Sequence, residues 1–202
     1  ISYIILAGKC RNCSSKISFQ YFTVEILVAI GFIVSFHFFQ FSISTLLFFI
    51  LTMFFVIIFF IDLKHFIIPN ELTFPLMAIG FLKSFDPNLN QYLFPNYINS
   101  LIGGVAGYLI IWFIIFAYKK LRNKEGMGLG DAKLLSAIGF WFGWISIPFI
   151  LFFSSFVALG FAIPSLMNKS KTMSSQIPFG PYLVLGCVLY LLLIEKIIKY
   201  LN

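Results

Sequence analysis

Two aspartates stand at the edges of apolar runs, and their type and placement could do chemistry. Asp62 ends "FFVIIFFID", and Asp131 opens "DAKLLSAIGF" directly behind the glycine-rich stretch "GMGLG". A carboxylate at membrane depth costs roughly 2.5–3.5 kcal/mol at the centre of a helix and less near an end, so such residues are usually functional or paired. Two carboxylates brought close cannot both ionise comfortably, and one then holds a proton near neutral pH. The ionised partner can take a proton from water while the protonated one polarises a peptide carbonyl, which is aspartic-protease chemistry. Gly128 and Gly130, just ahead of Asp131, allow a tight, backbone-exposed turn and leave room for an extended substrate strand.

The same residues admit other readings. Aspartate is a preferred helix N-cap, so "GLGD" could simply start a helix, and Asp62 could close its own helix beside Lys64. Both could instead line an ion or proton path, which would call for further polar residues in mid-span. Those are few, His37, Ser154 and Ser155 among them. His37 reads as packed against a neighbour, and His65 as an interfacial residue rather than a ligand or a base. A second constellation is "CRNC", which puts Cys10 and Cys13 in a C-x-x-C pair beside Lys9 and Arg11. One such pair is half of a tetrahedral zinc site, and its partners are not in this chain. Cys187 lies in an apolar run and reads as packing.

The elements that must position these residues follow from composition. Of 202 residues, 60% are hydrophobic and 10% charged, and the mean hydropathy is +0.99. A soluble domain needs more polar surface than this, and apolar runs of bilayer-crossing length recur. The expected fold is therefore all-α, a polytopic transmembrane helix bundle of about seven spans behind a short cytoplasmic N-terminal segment. The spans run near 24–39, 45–61, from after "DLKHFIIPNELT" to about 82, 97–118, 131–144, 147–166 and from "IPFGPYL" to the end. Residues 1–22 form a separate segment, and 23–202 the membrane domain. The net charge of +7 sits in short loops, without the stripe or aromatic platform that nucleic-acid binding would need. Counting Lys and Arg by loop puts the N-terminal segment and the loops near residues 64, 122 and 170 in the cytoplasm, and leaves Lys83, near a helix end, with Lys196 and Lys199 on the other side. Asp62 and Asp131 then share the cytoplasmic face. The chain opens on Ile1 with no signal peptide, as a fragment or a processed form would.

The order "DLKHFIIPNELT", "GMGLGDAKL", "IPFGPYL" resembles the type IV prepilin peptidase family, bacterial inner-membrane aspartic proteases with a GxGD signature. The N-terminal stretch with "CRNC" resembles the end of that family's cytoplasmic segment. The resemblance implies a multi-pass enzyme of the bacterial inner membrane that removes the basic leader from prepilins and pseudopilins, cutting after the glycine before the hydrophobic pilin helix. It implies Asp62 and Asp131 as the catalytic pair, at the cytoplasmic face, with no cofactor for proteolysis. Long members also N-methylate the new N-terminus with S-adenosylmethionine and bind zinc through four cysteines, of which Cys10 and Cys13 match two. A basic leader would favour acidic surroundings, for which Glu25, Glu71 and Glu125 are the nearby candidates.

Overall fold

The computed structural model describes residues 8–89, 94–122, 128–167 and 178–201, with Tyr3 and Leu6. Among the described residues from Gly8 onward, seven α-helices run in chain order: α1 Phe19–Phe39, α2 Ile43–His65, α3 Asn70–Leu82, α4 Tyr97–Arg122, α5 Leu129–Phe142, α6 Ser146–Met167 and α7 Gly180–Leu201. A single 3₁₀ turn, Lys83–Phe85, follows α3. No strand occurs among the described residues; an isolated bridge pairs Lys9 with Lys16. In hydrocarbon a backbone must satisfy its own polar groups, and a helix does so locally. Helix ends are set by identifiable residues. Ser18 caps α1 by accepting the Gln20 N–H at 3.3 Å. Gly143, at φ +78°, stops α5 while its N–H donates to the Gly139 carbonyl at 2.8 Å.

The seven expected spans correspond to seven helices, but not all are long enough to cross. Helices α1, α2 and α4, of 21, 23 and 26 residues, are long and apolar enough to cross a membrane. Helices α6 and α7 have 22 residues each and carry shorter apolar segments, Ser146–Ala162 and Gly180–Ile194. The 13 residues of α3 and 14 of α5 reach only about 20 Å at 1.5 Å per residue. A hydrocarbon core is about 30 Å thick. Hydropathy reads these two stretches as spans because they are apolar; their neighbours, not lipid alone, cover them.

The chain divides into two compact units, Ile1–Ile57 and Ile58–Asn202. In the first, α1 lies along the early part of α2. Phe39 stacks on Phe48 at 4.6 Å, Phe32 meets Phe49 edge-on at 5.2 Å, and Gly31 leaves room for the Thr52 side chain. Its outward residues, such as Ile33, Phe41 and Leu46, are large and apolar, as a lipid-facing surface requires.

In the second unit α5 is the buried centre, with most of Asp131 to Phe142 out of contact with solvent. Helix α4 approaches it backbone to backbone. A Cβ on Gly103 would stand 2.4 Å from the Gly139 carbonyl oxygen, and one on Gly139 2.2 Å from that of Gly103. Small residues at such a crossing permit close van der Waals packing and interhelical hydrogen bonds, which drive association where lipid competes for apolar contact. Ser136 donates to the Gly104 carbonyl and Ser100 to that of Phe140, each at 2.7 Å. On another side the Trp141 indole donates to the Leu76 carbonyl of α3 at 2.8 Å. Helices α6 and α7 pair with each other through Gly186, which faces Ser154 and the Ile150 carbonyl.

Lys83, read from sequence as a loop charge near a helix end, is buried at the end of α5 remote from Asp131. Its ammonium donates to the Trp141 carbonyl at 2.9 Å and lies 3.9 Å from the centre of the Phe94 ring. A cation there complements the negative end of the α5 dipole, and the aromatic face replaces part of its lost hydration. Burial still pulls its pKa down to about 7.

Two outcomes follow from this packing. Gly139→Leu should destabilise the protein by about 1–3 kcal/mol through overpacking, read as thermal unfolding in detergent, while Gly160→Leu, with nothing within 4 Å of its Cβ position, should leave the transition in place. Because Lys83 binds its proton less tightly folded than unfolded, unfolding takes up protons between about pH 7 and its ordinary value, and stability gains from rising pH in that window. Lys83→Met should remove that gain, seen as a flatter pH dependence of unfolding than in the unaltered protein.

Candidate active site

Asp62 lies in the last turn of α2, which ends on an unusual residue. Phe66 sits at φ +58° and donates its N–H to the Asp62 carbonyl at 2.9 Å. That left-handed conformation is more often occupied by glycine at a helix end. It turns the chain through Ile67 and Ile68 to Pro69, which opens α3. Asp131 lies in the first turn of α5, where the positive end of the helix dipole favours a carboxylate. The N-cap of that helix is Gly128, in extended conformation at φ −83° and ψ 147°, and not Asp131. The Asp131 N–H donates to the Gly128 carbonyl at 3.2 Å.

A third element completes the arrangement. Gly180, first residue of α7 in the "PFGP" stretch, donates its N–H to Asp62 Oδ2 at 3.0 Å. A Cβ on Gly180 would come within 2.6 Å of that same oxygen, so only glycine lets the amide approach the carboxylate. Asp62 and Asp131 are both buried, at 4% and 7% exposure. Both line one cleft of about 780 Å³ and feel each other's charge. Among the described residues the rest of its wall is almost wholly apolar, including Ile111 and Ile114 of α4 and Leu151, Ala158 and Leu159 of α6, with the hydroxyl of Ser155 beside them. No other ionisable side chain lines it among the described residues.

The sequence-predicted residues therefore fall into distinct places. Gly128 and Gly130 line the cleft beside Asp131. Gly128 has open space at its Cβ position, the nearest atom being 3.9 Å away, whereas at Gly130 the Ile68 Cβ is 3.0 Å away. Gly126, Glu125 and the lysines near residue 170 lie outside the described residues. Lys64 and His65 are exposed. His37 meets Phe38 edge-on, and Cys187 is fully buried. Ser154 donates to the Ile150 carbonyl of its own helix at 2.6 Å, which accounts for a polar group in mid-span without a conduction path. Gly180 and Ile68 carried no assigned role in the sequence. The signal for them was present in "IPFGPYL" and "DLKHFIIPNELT", as a Gly-Pro pair and an apolar residue before proline.

Cys10 and Cys13 occupy a tight loop in the other unit. The Cys10 N–H donates to the Ser15 carbonyl at 2.9 Å, and Ser14 N–H returns to the Cys10 carbonyl at 3.0 Å. Both thiols are free. Two thiols are fewer than the four ligands of a tetrahedral site, and no group of three or more His, Cys, Asp or Glu that could hold a metal occurs among the described residues. The Ser15 hydroxyl, 3.0 Å from Cys13 Sγ, and its backbone hold the Cys13 thiol down at about 7.

Comparison with known proteins agrees with these motifs. Residues 48–163 match the model of the type IV leader peptidase family, and residues 1–39 that of the bacterial Peptidase A24 N-terminal domain. The prepilin leader peptidase/N-methyltransferase of Aeromonas salmonicida (strain A449) is 37% identical over 203 residues, covering 99% of this chain and 67% of that protein. The proteins of the same name from Xanthomonas campestris pv. campestris and Pseudomonas aeruginosa are 38% and 34% identical, each over 92% of this chain and over 63% and 62% of their own lengths. No solved structure matches significantly.

The thiolate is the reactive form of cysteine, so alkylation of Cys13 should rise through a midpoint near pH 7. Ser15→Ala should move that midpoint upward. Mass spectrometry after iodoacetamide pulses reads both, and Cys187 should stay unmodified until the protein unfolds.

Proposed function

The chain belongs to the type IV leader peptidase family, and we propose that it is an aspartic endopeptidase that removes the basic leader from prepilins and pseudopilins. Asp62 and Asp131 are its catalytic pair. One observation carries this reading: two buried carboxylates, from helices far apart in sequence, open onto a single apolar cleft. Structural capping would leave one carboxylate per helix end without bringing the two into one cavity. The names of the relatives, prepilin leader peptidase/N-methyltransferase, supply the substrate.

The chemistry follows from the pair. With one proton shared between them, the ionised carboxylate takes a proton from a water molecule in the cleft as the water oxygen attacks the scissile carbonyl carbon. The protonated partner donates to the carbonyl oxygen, giving a tetrahedral gem-diol. Its collapse breaks the C–N bond, the departing nitrogen takes up a proton from the pair, and the shared proton is restored. Gly180 holds Asp62 in place through the amide bond, so the carboxylate need not reorganise during the reaction. An extended substrate lies over Gly128 and Leu129, with its apolar side against α6.

By the positive-inside argument the pair works at the cytoplasmic face of the inner membrane, in contact with lipid, and nucleic acid has no part. N-methylation, named for the relatives, would use S-adenosylmethionine, and a tetrahedral zinc site would require two further ligands beside Cys10 and Cys13; cleavage needs neither group.

Membranes containing the protein and a prepilin test the reading by the mobility shift of the cleaved product. Asp62→Asn and Asp131→Asn should each slow processing by roughly 10²–10⁴-fold, the usual contribution of a positioned acid or base. Normal processing by either variant would overturn the assignment.

A further inference from the structure

The residue that joins the three motifs carries no chemistry of its own. Ile68 follows Asp62 by six positions and is buried, at 8% exposure. On one side it meets the glycine turn ahead of Asp131: a Cβ on Gly130 would stand 3.0 Å from Ile68 Cβ and 3.4 Å from Cγ1. On the other it meets the start of α7, where a Cβ on Gly180 would stand 2.9 Å from Ile68 Cδ1. One side chain thus touches both the backbone that carries Asp131 and the backbone whose amide holds Asp62. These two backbones belong to different groups of helices, since α5 packs chiefly with α3 and α4 while α7 packs chiefly with α6.

We propose that Ile68 is a positioning residue: a wedge, seated on Gly130 and Gly180, that sets the separation of the two aspartates. The proposal rests on the catalytic reading above. Three features make the side chain a spacer and not only filler. It is β-branched, so χ1 is confined. Pro69 follows it and restricts its backbone to extended conformations. Two of its neighbours are glycines, where backbone itself forms the seat and no flexible side chain can absorb a change. A catalytic pair must be held to within about 0.5 Å by its supporting residues, and a misplacement of 1 Å can cost about 100-fold.

The seats differ, and the difference supplies a test. At Gly130 the obstacle to a methyl group is Ile68 itself. At Gly180 it is also the Asp62 oxygen, at 2.6 Å. Cleavage kinetics are measured with the full chain in lipid nanodiscs and a prepilin substrate. Ile68→Ala should lower kcat by roughly 10- to 100-fold, a larger effect than on KM even though the side chain also lines the cleft. Ile68→Val keeps the β-branch and should restore most of the rate. Gly130→Ala should slow cleavage, because its methyl meets Ile68 Cβ at 3.0 Å, and Ile68→Ala, which keeps Cβ, should not rescue it; Gly180→Ala, blocked by the Asp62 oxygen, should stay inactive in both backgrounds. An unchanged kcat in Ile68→Ala, a loss confined to KM, or a full rate in Gly130→Ala would overturn the wedge. If Ile68→Ala fails to fold, Ile68→Leu replaces it: Leu moves bulk from Cβ to Cγ, so a full rate there also overturns it. Ile68 variants that cleave normally while Asp62→Asn does not would sink the wedge and leave the protease standing. No cleavage by the unaltered chain would remove both.

Discussion

A carboxylate cannot sit in an apolar interior without partners, and here the partner of Asp62 is a backbone amide. The bond from Gly180 N–H to Asp62 Oδ2 joins the end of α2 to the start of α7 across 118 positions of sequence. The approach admits no side chain at Gly180. It also requires that α7 begin at this level, which the Gly-Pro pair secures, since proline is at home in the first turn of a helix. Hydrogen bonds to a charged acceptor are stronger than neutral ones, and leaving such an acceptor unsatisfied is expensive in low dielectric. The position of α7, and of α6 paired with it, is thereby linked to the functional carboxylate.

Asp131 is held in a different way. Its helix is short, buried, and clamped on both sides, by Gly103 and Gly107 of α4 and by the Leu76 carbonyl of α3 that receives the Trp141 indole. One aspartate is thus anchored by a single polar contact at a helix start, the other by backbone packing along a whole helix. The two carboxylates that share one cleft thus owe their positions to different kinds of interaction.

Much of this was legible in the sequence, for physical reasons. Apolar runs report helices because a backbone in hydrocarbon has few alternatives, and seven such runs became seven helices. Two acidic residues at run edges stood out because acid is costly there. What stayed hidden is what depends on pairs of distant residues. Nothing near Gly180 says that its amide meets Asp62. Nothing near Ile68 says that it packs against two glycines, 62 and 112 positions further on in the numbering of this chain. Lys83 misled in the opposite sense: charge counting treats a lysine as solvated, yet this one is covered by Phe94 and bonded to the Trp141 carbonyl. The shortness of α3 escaped too, because hydropathy measures polarity and not reach.

That shortness bears on how water reaches the two aspartates. Two helices of about 20 Å stand in a hydrocarbon slab of about 30 Å, so the bilayer must thin around them, or a well must open above one of their ends. Asp131 lies in the first turn of α5, at the floor of any such well on that side. Acyl chains that thicken the bilayer deepen the well, and chains that thin it bring the carboxylates nearer to bulk solvent. Lipid chain length therefore becomes a setting on the hydration of the pair, imposed from outside the protein and without contact to either aspartate.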